Sequence, residues 1–272
     1  MRIRYIFCAV ILTALTFEAC NSGSPVTTPP VQSSYVKIIT AEQGSTKFEV
    51  YSATSSTMVN GYNDIGFKVY TNGTEMTSGY VTFFPKMYHH FNGSPYHSTP
   101  CSPKFYYSSD KQMFMGYTTF MMWTDTNADW FGWYNYNGTS SVDSAKFIVN
   151  LSDNAQVKTF VDNSTETIIY LTLVAPLNPK QGLNDFQILA HRTYNELTYW
   201  EADSLEMYIR TWMPLMGHSS SDNVNPVSLG GGLYKGKVNY NMSGQWYVYD
   251  SIKYNGGIIT PAPPPKFIFD AP

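Results

Sequence analysis

The sequence predicts an all-β protein made of two tandem β-sandwiches, and three observations support this fold class. Aromatic residues make up 16% of the chain, with 22 Tyr and 16 Phe, and these types are enriched in strands. Short segments alternate apolar and polar side chains with a period of two, while no segment sustains a helical period. The two halves of the chain also resemble each other, which indicates a duplicated unit.

The first element is a predicted lipoprotein signal peptide over residues 1–20. Arg2 and Arg4 precede an apolar stretch over residues 5–17 that is too short to span a bilayer comfortably. The stretch ends at Cys20, the predicted lipidation site, and a simple secretory leader is the alternative. Either leader predicts export. The lipid would anchor the protein to the bacterial cell envelope, with the outer membrane favoured and the periplasmic or surface face left open.

The next element, residues 21–34, is rich in Ser, Thr and Pro and predicts a tether. Because Cys8 lies in the leader and Cys20 would carry lipid, Cys101 has no partner for an internal disulfide. The formal net charge is -3 and no basic patch stands out, so nucleic acid is not an expected partner.

The rest of the chain divides into residues 35–155 for a first sandwich, residues 156–258 for a second, and a Pro-rich C-terminal tail over residues 259–272 that is expected to lie along the surface. The two sandwich segments can be aligned with each other. The aligned pairs are Asn63 with Asn184, Pro85 with Pro214, Met87 with Met216, His89 with His218, Gly116 with Gly236, Phe120 with Tyr240, Met122 with Met242, and Trp133 with Trp246. Trp133 and Trp246 are the predicted buried aromatics of the two cores.

The second repeat contains the stretch MPLMGH, then a proline, a Tyr-x-Gly and a Met-x-Gly-x-Trp. These elements fall on Met213, Pro214, Met216, Gly217, His218, Pro226, Tyr234, Gly236, Met242, Gly244 and Trp246. In this order they resemble the YtkA-like domain family, over roughly residues 167–251. The resemblance implies an exported immunoglobulin-like sandwich that is often linked with copper handling. The first repeat departs from the pattern, because FPKMYHH lacks the glycine, and it looks like a diverged copy.

Thioethers and imidazoles together suit Cu(I), which is a soft ion. Strand parity predicts that Met213 points into the core, and Pro214 ends the strand. Met216 and His218 would then lie on the loop beyond it, and Met242 at the end of a neighbouring strand. We therefore predict a copper site of Met216, His218 and Met242, with inward packing as the alternative for Met242.

The corresponding predicted site in the first repeat is Met87, His89 and Met122, with His90 as a further candidate ligand. His97 and Cys101, four residues apart, could hold Cu(I) or Zn(II), and a buried, inert thiol is the alternative reading of Cys101. His191 has no soft neighbour in its strand, so we expect a structural role for it.

Two functional hypotheses follow. The first is an exported, membrane-anchored lipoprotein that binds Cu(I) or delivers it to a copper-accepting protein. The alternative is a non-enzymatic structural or interaction module that binds protein or glycan through the aromatic segments 129–138 and 195–200. No enzyme motif occurs: the chain lacks Gly-x-Ser-x-Gly, His-Glu-x-x-His and a phosphate loop. A contiguous exposed aromatic patch would favour the interaction module.

Overall fold

The computed structural model describes residues 35–53, 56–91 and 97–272. The predicted signal peptide, the lipidation site at Cys20 and the tether lie outside these residues. Throughout the described part of the chain every regular element is a β-strand, which confirms the all-β prediction. No helix able to cross a membrane occurs in that part.

Domain 1 is built from the first twelve strands. They are β1 (Val36–Gln43), β2 (Thr46–Ser52), β3 (Met58–Val59), β4 (Gly61–Thr71), β5 (Thr74–Met76), β6 (Tyr80–His89), β7 (His97–Ser98), β8 (Phe105–Ser108), β9 (Met113–Phe120), β10 (Ala128–Tyr136), β11 (Ser140–Phe147) and β12 (Val149–Asn150). Ten of them form one sheet in the order β1-β2-β4-β9-β8-β6-β10-β11, with β5 on β4 and β7 on β6. The first and last strands approach each other, since the Asp143 amide donates to Gln43 Oε1 at 2.9 Å. Domain 1 is therefore a sandwich that is almost closed into a barrel.

Domain 2 contains the remaining ten strands. They are β13 (Val157–Asp162), β14 (Thr167–Ala175), β15 (Gly182–Thr193), β16 (Trp200–Glu201), β17 (Glu206–Trp212), β18 (Val224–Ser228), β19 (Leu233–Tyr240), β20 (Gly244–Tyr254), β21 (Gly257–Ile258) and β22 (Lys266–Ala271). One sheet has the order β13-β14-β15-β19-β18, with β16 on β15. The other has the order β17-β20-β21, with β22 also on β20. The two sheets enclose a single apolar core, as expected for an immunoglobulin-like sandwich.

The C-terminal segment is not a surface tail, as its proline content had suggested. Strand β22 pairs with β20 from Gly244↔Ala271 to Tyr249↔Lys266. Phe267 and Phe269 are buried in the domain 2 core. The alternation of Phe267, Phe269 and Ala271 inward is the period-two pattern of a half-buried strand, and it outweighs the prolines that precede it.

Most of the predicted duplication is visible in hydrogen bonds. Asn63 Oδ1 accepts the Val59 amide at 2.9 Å, and its Nδ2 donates to Val59 O at 2.7 Å. Asn184 makes the same two bonds with Lys180, at 3.0 Å and 2.7 Å. The strand registers Gly61↔Phe120 and Gly182↔Tyr240 also correspond, so the alignment of these segments is confirmed.

A loop of domain 2 contacts domain 1 directly. The Ser98 amide donates to the Glu196 carbonyl at 2.8 Å. The Tyr117 hydroxyl lies 2.8 Å from His191 Nε2. His191 is 2% exposed, and burial lowers its pKa to about 4, against an opposing effect of Asp203. The predicted structural role of His191 is that of a neutral ring at the domain junction.

Candidate functional sites

One tryptophan organises the same end of each domain. Trp130 and Trp246 are both fully buried. The Trp130 indole donates to the Met122 carbonyl at 3.1 Å, and the Trp246 indole donates to the Met242 carbonyl at 2.9 Å. Each indole therefore fixes the methionine that follows strand β9 or β19, at the rim of its sandwich.

A histidine packs against each of these rings edge-on. The His97 ring lies 6.0 Å from that of Trp130 at 80°, and the His218 ring lies 5.5 Å from that of Trp246 at 83°. The pairing across the strands also corresponds, because Met87 is opposite His97 and Met213 is opposite His218. His97 is thus the structural counterpart of His218.

These contacts correct part of the sequence alignment by three residues. Trp130 is the counterpart of Trp246, whereas Trp133 is only partly buried on the other face of β10. Met87 corresponds to Met213, and both lie in the core. The alignment slipped because it matched Pro85 with a proline beyond a strand end, while Pro85 lies within β6 opposite Gly132.

In domain 2 the predicted ligands lie on a closed turn. The Met213 amide donates to the His218 carbonyl at 2.8 Å, and the Gly217 amide donates to the Met213 carbonyl at 2.9 Å. Gly217 has a φ of 67°, which a residue with a side chain would adopt only with strain. The turn projects Met216 outward with 56% of its surface exposed, while Met213 is buried as predicted.

His218 and Met242 flank the same indole. His218 Nδ1 lies 3.0 Å from the Ser219 carbonyl, which can only accept, so this nitrogen carries the proton in the neutral ring. The lone pair is then on Nε2, the nitrogen available to a ligand. Met242 is 39% exposed. The structure thus brings His218 and Met242 to one end of domain 2, with Met216 on the adjoining turn.

In domain 1 the four predicted ligands do not form one group. Met87 is fully buried, and Met122 is 37% exposed at the rim. His90 lies on the face of the sheet opposite to Met87. Its Nδ1 is 3.1 Å from the Thr126 carbonyl, and its Nε2 is 3.1 Å from Asp129 Oδ2. Both nitrogens of His90 therefore contact oxygen atoms on this face, away from the buried Met87.

The imidazole next to His89 is that of His97, and the two ring centroids lie 5.2 Å apart. The sequence had suggested Cys101 as the co-ligand of His97. The Cys101 thiol donates to the Phe83 carbonyl at 3.2 Å, and burial raises its pKa to about 12, with a smaller effect of Glu201. This thiol is therefore protonated at neutral pH, which favours the inert reading.

A second kind of site lies on the outer face of β6 and β10. The Tyr88 ring is 5.6 Å from Phe131 and 6.2 Å from Trp133. Lys86 Nζ lies 4.9 Å from the Trp133 ring. Tyr88, Phe131 and Trp133, with His90, Asp129 and Ser144, line an open cavity of about 350 Å³ that we call the aromatic pocket.

A carboxylate borders this pocket. Asp129 accepts from Lys146 Nζ at 2.7 Å and contacts His90 at 3.1 Å. The hydrogen bond from Lys146 is the main cause of the lowered pKa of Asp129. Desolvation opposes it, and the hydrogen bond from His90 lowers the pKa further. A charged acceptor therefore lies beside three aromatic rings. Asp129, Phe131 and Trp133 come from the aromatic segment over residues 129–138 that the sequence had singled out.

The other aromatic segment, residues 195–200, is divided between two roles. Tyr199 packs on Tyr170 at 5.4 Å and donates to the Ser98 carbonyl at 3.4 Å, so it belongs to the domain junction. Trp200 pairs with the exposed Tyr194 at 5.2 Å. This segment does not present a continuous aromatic face.

Across the described residues, no group of three or more His, Cys, Asp or Glu side chains is arranged to hold a metal ion. A metal site in this part of the chain would therefore include methionine thioethers among its ligands, or would have fewer than three protein ligands.

No protein family profile and no curated protein matches the chain. Solved structures resemble it at low identity. The FdeC adhesin of Escherichia coli is 11% identical with a TM-score of 0.28, and the match covers 85% of this chain and 65% of that one. A conserved domain protein from Bacillus anthracis is 10% identical with a TM-score of 0.32, covering 87% and 91%. Invasin, a bacterial integrin-binding protein, is 9% identical with a TM-score of 0.23, covering 83% and 39%. Likenesses at this level carry no binding partner over to this chain.

Proposed function

We propose that this chain is a non-catalytic binding module that takes a glycan in the aromatic pocket of domain 1. The observation that carries the proposal is the contiguous cluster of Tyr88, Phe131 and Trp133 beside the carboxylate of Asp129. Aromatic rings grouped on one outer face are the feature that favours an interaction module over a copper carrier.

The chemistry of the pocket suits a sugar. The C–H faces of a pyranose ring are apolar and stack on aromatic rings, while its hydroxyl groups donate to a carboxylate such as that of Asp129. A cavity of about 350 Å³ falls within the range of small-ligand sites, about 300–1,000 Å³. A stable protein partner would need roughly 800 Å² on each side, so it would have to contact the surface around the pocket as well.

The predicted address is consistent with such a role. A signal peptide, a lipidated Cys20 and a Ser/Thr/Pro tether would hold both sandwiches outside the cytoplasm, where glycans of the cell envelope occur. Membership in the YtkA-like family stays a prediction, and so does the lipid anchor.

The test is a titration of the full chain in detergent against a panel of soluble polysaccharides, followed by tryptophan fluorescence and calorimetry. Trp133→Ala should weaken binding by about tenfold, which corresponds to about 1.4 kcal/mol. Phe131→Ala should weaken it similarly. Asp129→Asn should weaken it as well, because the amide is a poorer acceptor.

The matched control is Trp123→Ala, which removes an exposed tryptophan of domain 1 outside the pocket. This variant should bind like the wild type. The proposal would be wrong if Trp133→Ala bound every glycan with the affinity of the wild type. It would also be wrong if the wild type bound no glycan of the panel.

A second candidate function is Cu(I) binding in domain 2. The observation that favours it is the pairing of an oriented imidazole, His218, with the exposed thioethers Met216 and Met242 at one end of the domain. Such ligands suit a soft ion and hold it without competition from protons at the sulfur atoms. An ion held this way could pass to an acceptor protein.

This candidate is tested by competition for Cu(I) between the full chain and a chromophoric chelator. Met216→Ala, His218→Ala and Met242→Ala should each lower the affinity. Met76→Ala, which removes a partly buried thioether of domain 1, should not change it. If all four variants compete like the wild type, the copper site in domain 2 does not exist.

A further inference from the structure

The two imidazoles of His89 and His97 lie at the end of domain 1, separate from the aromatic pocket and from the domain 2 methionines. Strands β6 and β7 bring them together, because Met87 is opposite His97 and His89 follows two residues later on the same face of β6. Both side chains are only partly buried, so solvent reaches this end of the domain.

The spacing of the two rings fits a shared metal ion. An imidazole nitrogen bound at about 2.0–2.1 Å puts the ion about 3.2 Å from the ring centroid. Two such rings at a tetrahedral angle of about 109° have centroids about 5.2 Å apart, whereas a right angle gives about 4.5 Å. The observed distance between the His89 and His97 centroids is 5.2 Å, with the rings inclined by 51°.

The segment that carries His97 is held from both sides. The Ser98 hydroxyl donates to the Pro85 carbonyl at 2.7 Å, and the Ser98 amide donates to the Glu196 carbonyl of domain 2 at 2.8 Å. Trp130 packs against the His97 ring and limits its rotation. Fixed ligands lose little conformational entropy when an ion binds.

A carboxylate lies near the two rings. The backbone carbonyl of Glu196 accepts a hydrogen bond from the Ser98 amide at 2.8 Å, and the Glu196 carboxylate is close enough to act electrostatically on His97. This negative charge would favour a cation at this position.

We propose that His89 and His97 form a two-imidazole site for a first-row ion of tetrahedral preference, such as Zn(II), with water or a small anion completing the coordination. Imidazole suits Zn(II), Ni(II) and copper, and the 5.2 Å spacing agrees with the centroid distance expected for two ligands at a tetrahedral angle. This site differs in ligand chemistry from the thioether set of domain 2 and does not depend on the glycan-binding proposal.

The test is a Zn(II) competition titration of the full chain in detergent, repeated with Co(II) as a spectroscopic probe of geometry. His89→Ala and His97→Ala should each lower the affinity for the Zn(II) ion bound in domain 1 by more than about tenfold, since even the loss of an outer-shell partner costs about 10–100-fold. Co(II) bound to the wild type should show the intense visible bands of a tetrahedral site.

His90→Ala is the matched control, because it removes the histidine next to His89 whose nitrogens face oxygen acceptors. His90→Ala and His218→Ala should leave the affinity of the domain 1 site for Zn(II) unchanged. His97→Gln, which keeps more of the side-chain volume, separates a lost ligand from lost folding, and far-UV circular dichroism checks each variant. Unchanged Zn(II) affinity in folded His89→Ala and His97→Gln, or an equal loss in His90→Ala, would overturn the proposal.

Discussion

Domain 1 and domain 2 share a buried tryptophan that holds a methionine carbonyl and supports a histidine ring, but they surround this frame with different side chains. In domain 1 the neighbour of the histidine is a second imidazole, His89. In domain 2 the surroundings are the exposed thioethers of Met216 and Met242. Each rim also carries one exposed methionine, Met122 or Met242, so the difference lies in the second neighbour, which is an imidazole in domain 1 and a thioether in domain 2.

The outer faces differ as well. Domain 1 carries the aromatic pocket on β6 and β10, next to the ion pair of Asp129 with Lys146. The corresponding strands of domain 2 are β17 and β20, whose outer face holds Arg210 stacked 5.2 Å from Tyr249 and 5.6 Å from Trp212. The predictions below test which parts of this comparison are structural and which are functional, beginning with the largest expected effect.

The largest effect should come from the two tryptophans. Trp130→Ala and Trp246→Ala each empty a fully buried site and should lower the free energy of unfolding by about 3–5 kcal/mol. Trp133→Ala should cost about 1 kcal/mol or less, because the ring lies on the outer face. Urea unfolding followed by circular dichroism measures all three. If Trp133→Ala and Trp130→Ala lowered the free energy of unfolding equally, the equivalence of Trp130 with Trp246 would be wrong.

A pH effect should distinguish domain 2 from domain 1. Asp250 of domain 2 is fully buried, and burial raises its pKa to about 7, opposed only in part by the backbone amide of Tyr208. In domain 1 the pKa of Asp64 is also raised by burial, but its carboxylate accepts a hydrogen bond from Tyr35 at 2.7 Å.

The folded state therefore binds the Asp250 proton more tightly than the unfolded chain. The stabilising contribution is fully present below about pH 4, falls as the pH rises to about 7 and is constant above it, with a total loss of at most about 4 kcal/mol. Asp250→Asn should remove this dependence and stabilise the protein at pH 8. Unfolding curves at pH 4, 6 and 8 measure it, and parallel pH profiles for wild type and variant would contradict the assignment.

An intermediate effect should be the same in both domains. Asn63 and Asn184 each bind the backbone of the preceding turn through both ends of the amide. Asn63→Ala and Asn184→Ala should each lower the free energy of unfolding by about 1–3 kcal/mol, because buried backbone groups lose their partners. Asp at either position keeps only the acceptor and should recover part of the loss. A difference of several-fold between the domains would show that the motif is not equivalent.

The smallest effect should be on the stability of domain 2 when Met216 is changed. Met216→Ala removes an exposed side chain and should alter the free energy of unfolding by less than about 0.5 kcal/mol. Thermal unfolding of the metal-free protein measures this. A large destabilisation would mean that Met216 packs as core, and its suitability as a metal ligand would be lost.

Several features could be predicted from residues alone because they depend on local pattern. Alternation over residues 205–209 and 238–242 indicated half-buried strands, and Met213 followed from the same parity. Asn63 and Asn184 were aligned correctly because each begins an Asn-Asp step followed by a largely apolar strand segment. The aromatic segment over residues 129–138 was identified from its composition.

Other features needed the folded chain. The pairing of His97 with His89 could not be read from sequence, because a segment between β6 and β7 separates them and only the register places Met87 opposite His97. Trp130 was missed in favour of Trp133 because both share a strand three residues apart, and opposite parity alone decides which one is buried.

The sequence by itself determined the all-β class and the duplication, since period-two alternation and paired motifs are local properties of the chain. Tertiary structure decided which tryptophan is buried, that strand β22 completes the second core, and which histidines meet. These depend on strand register and on contacts between distant segments, where a shift of one residue turns every side chain to the opposite face.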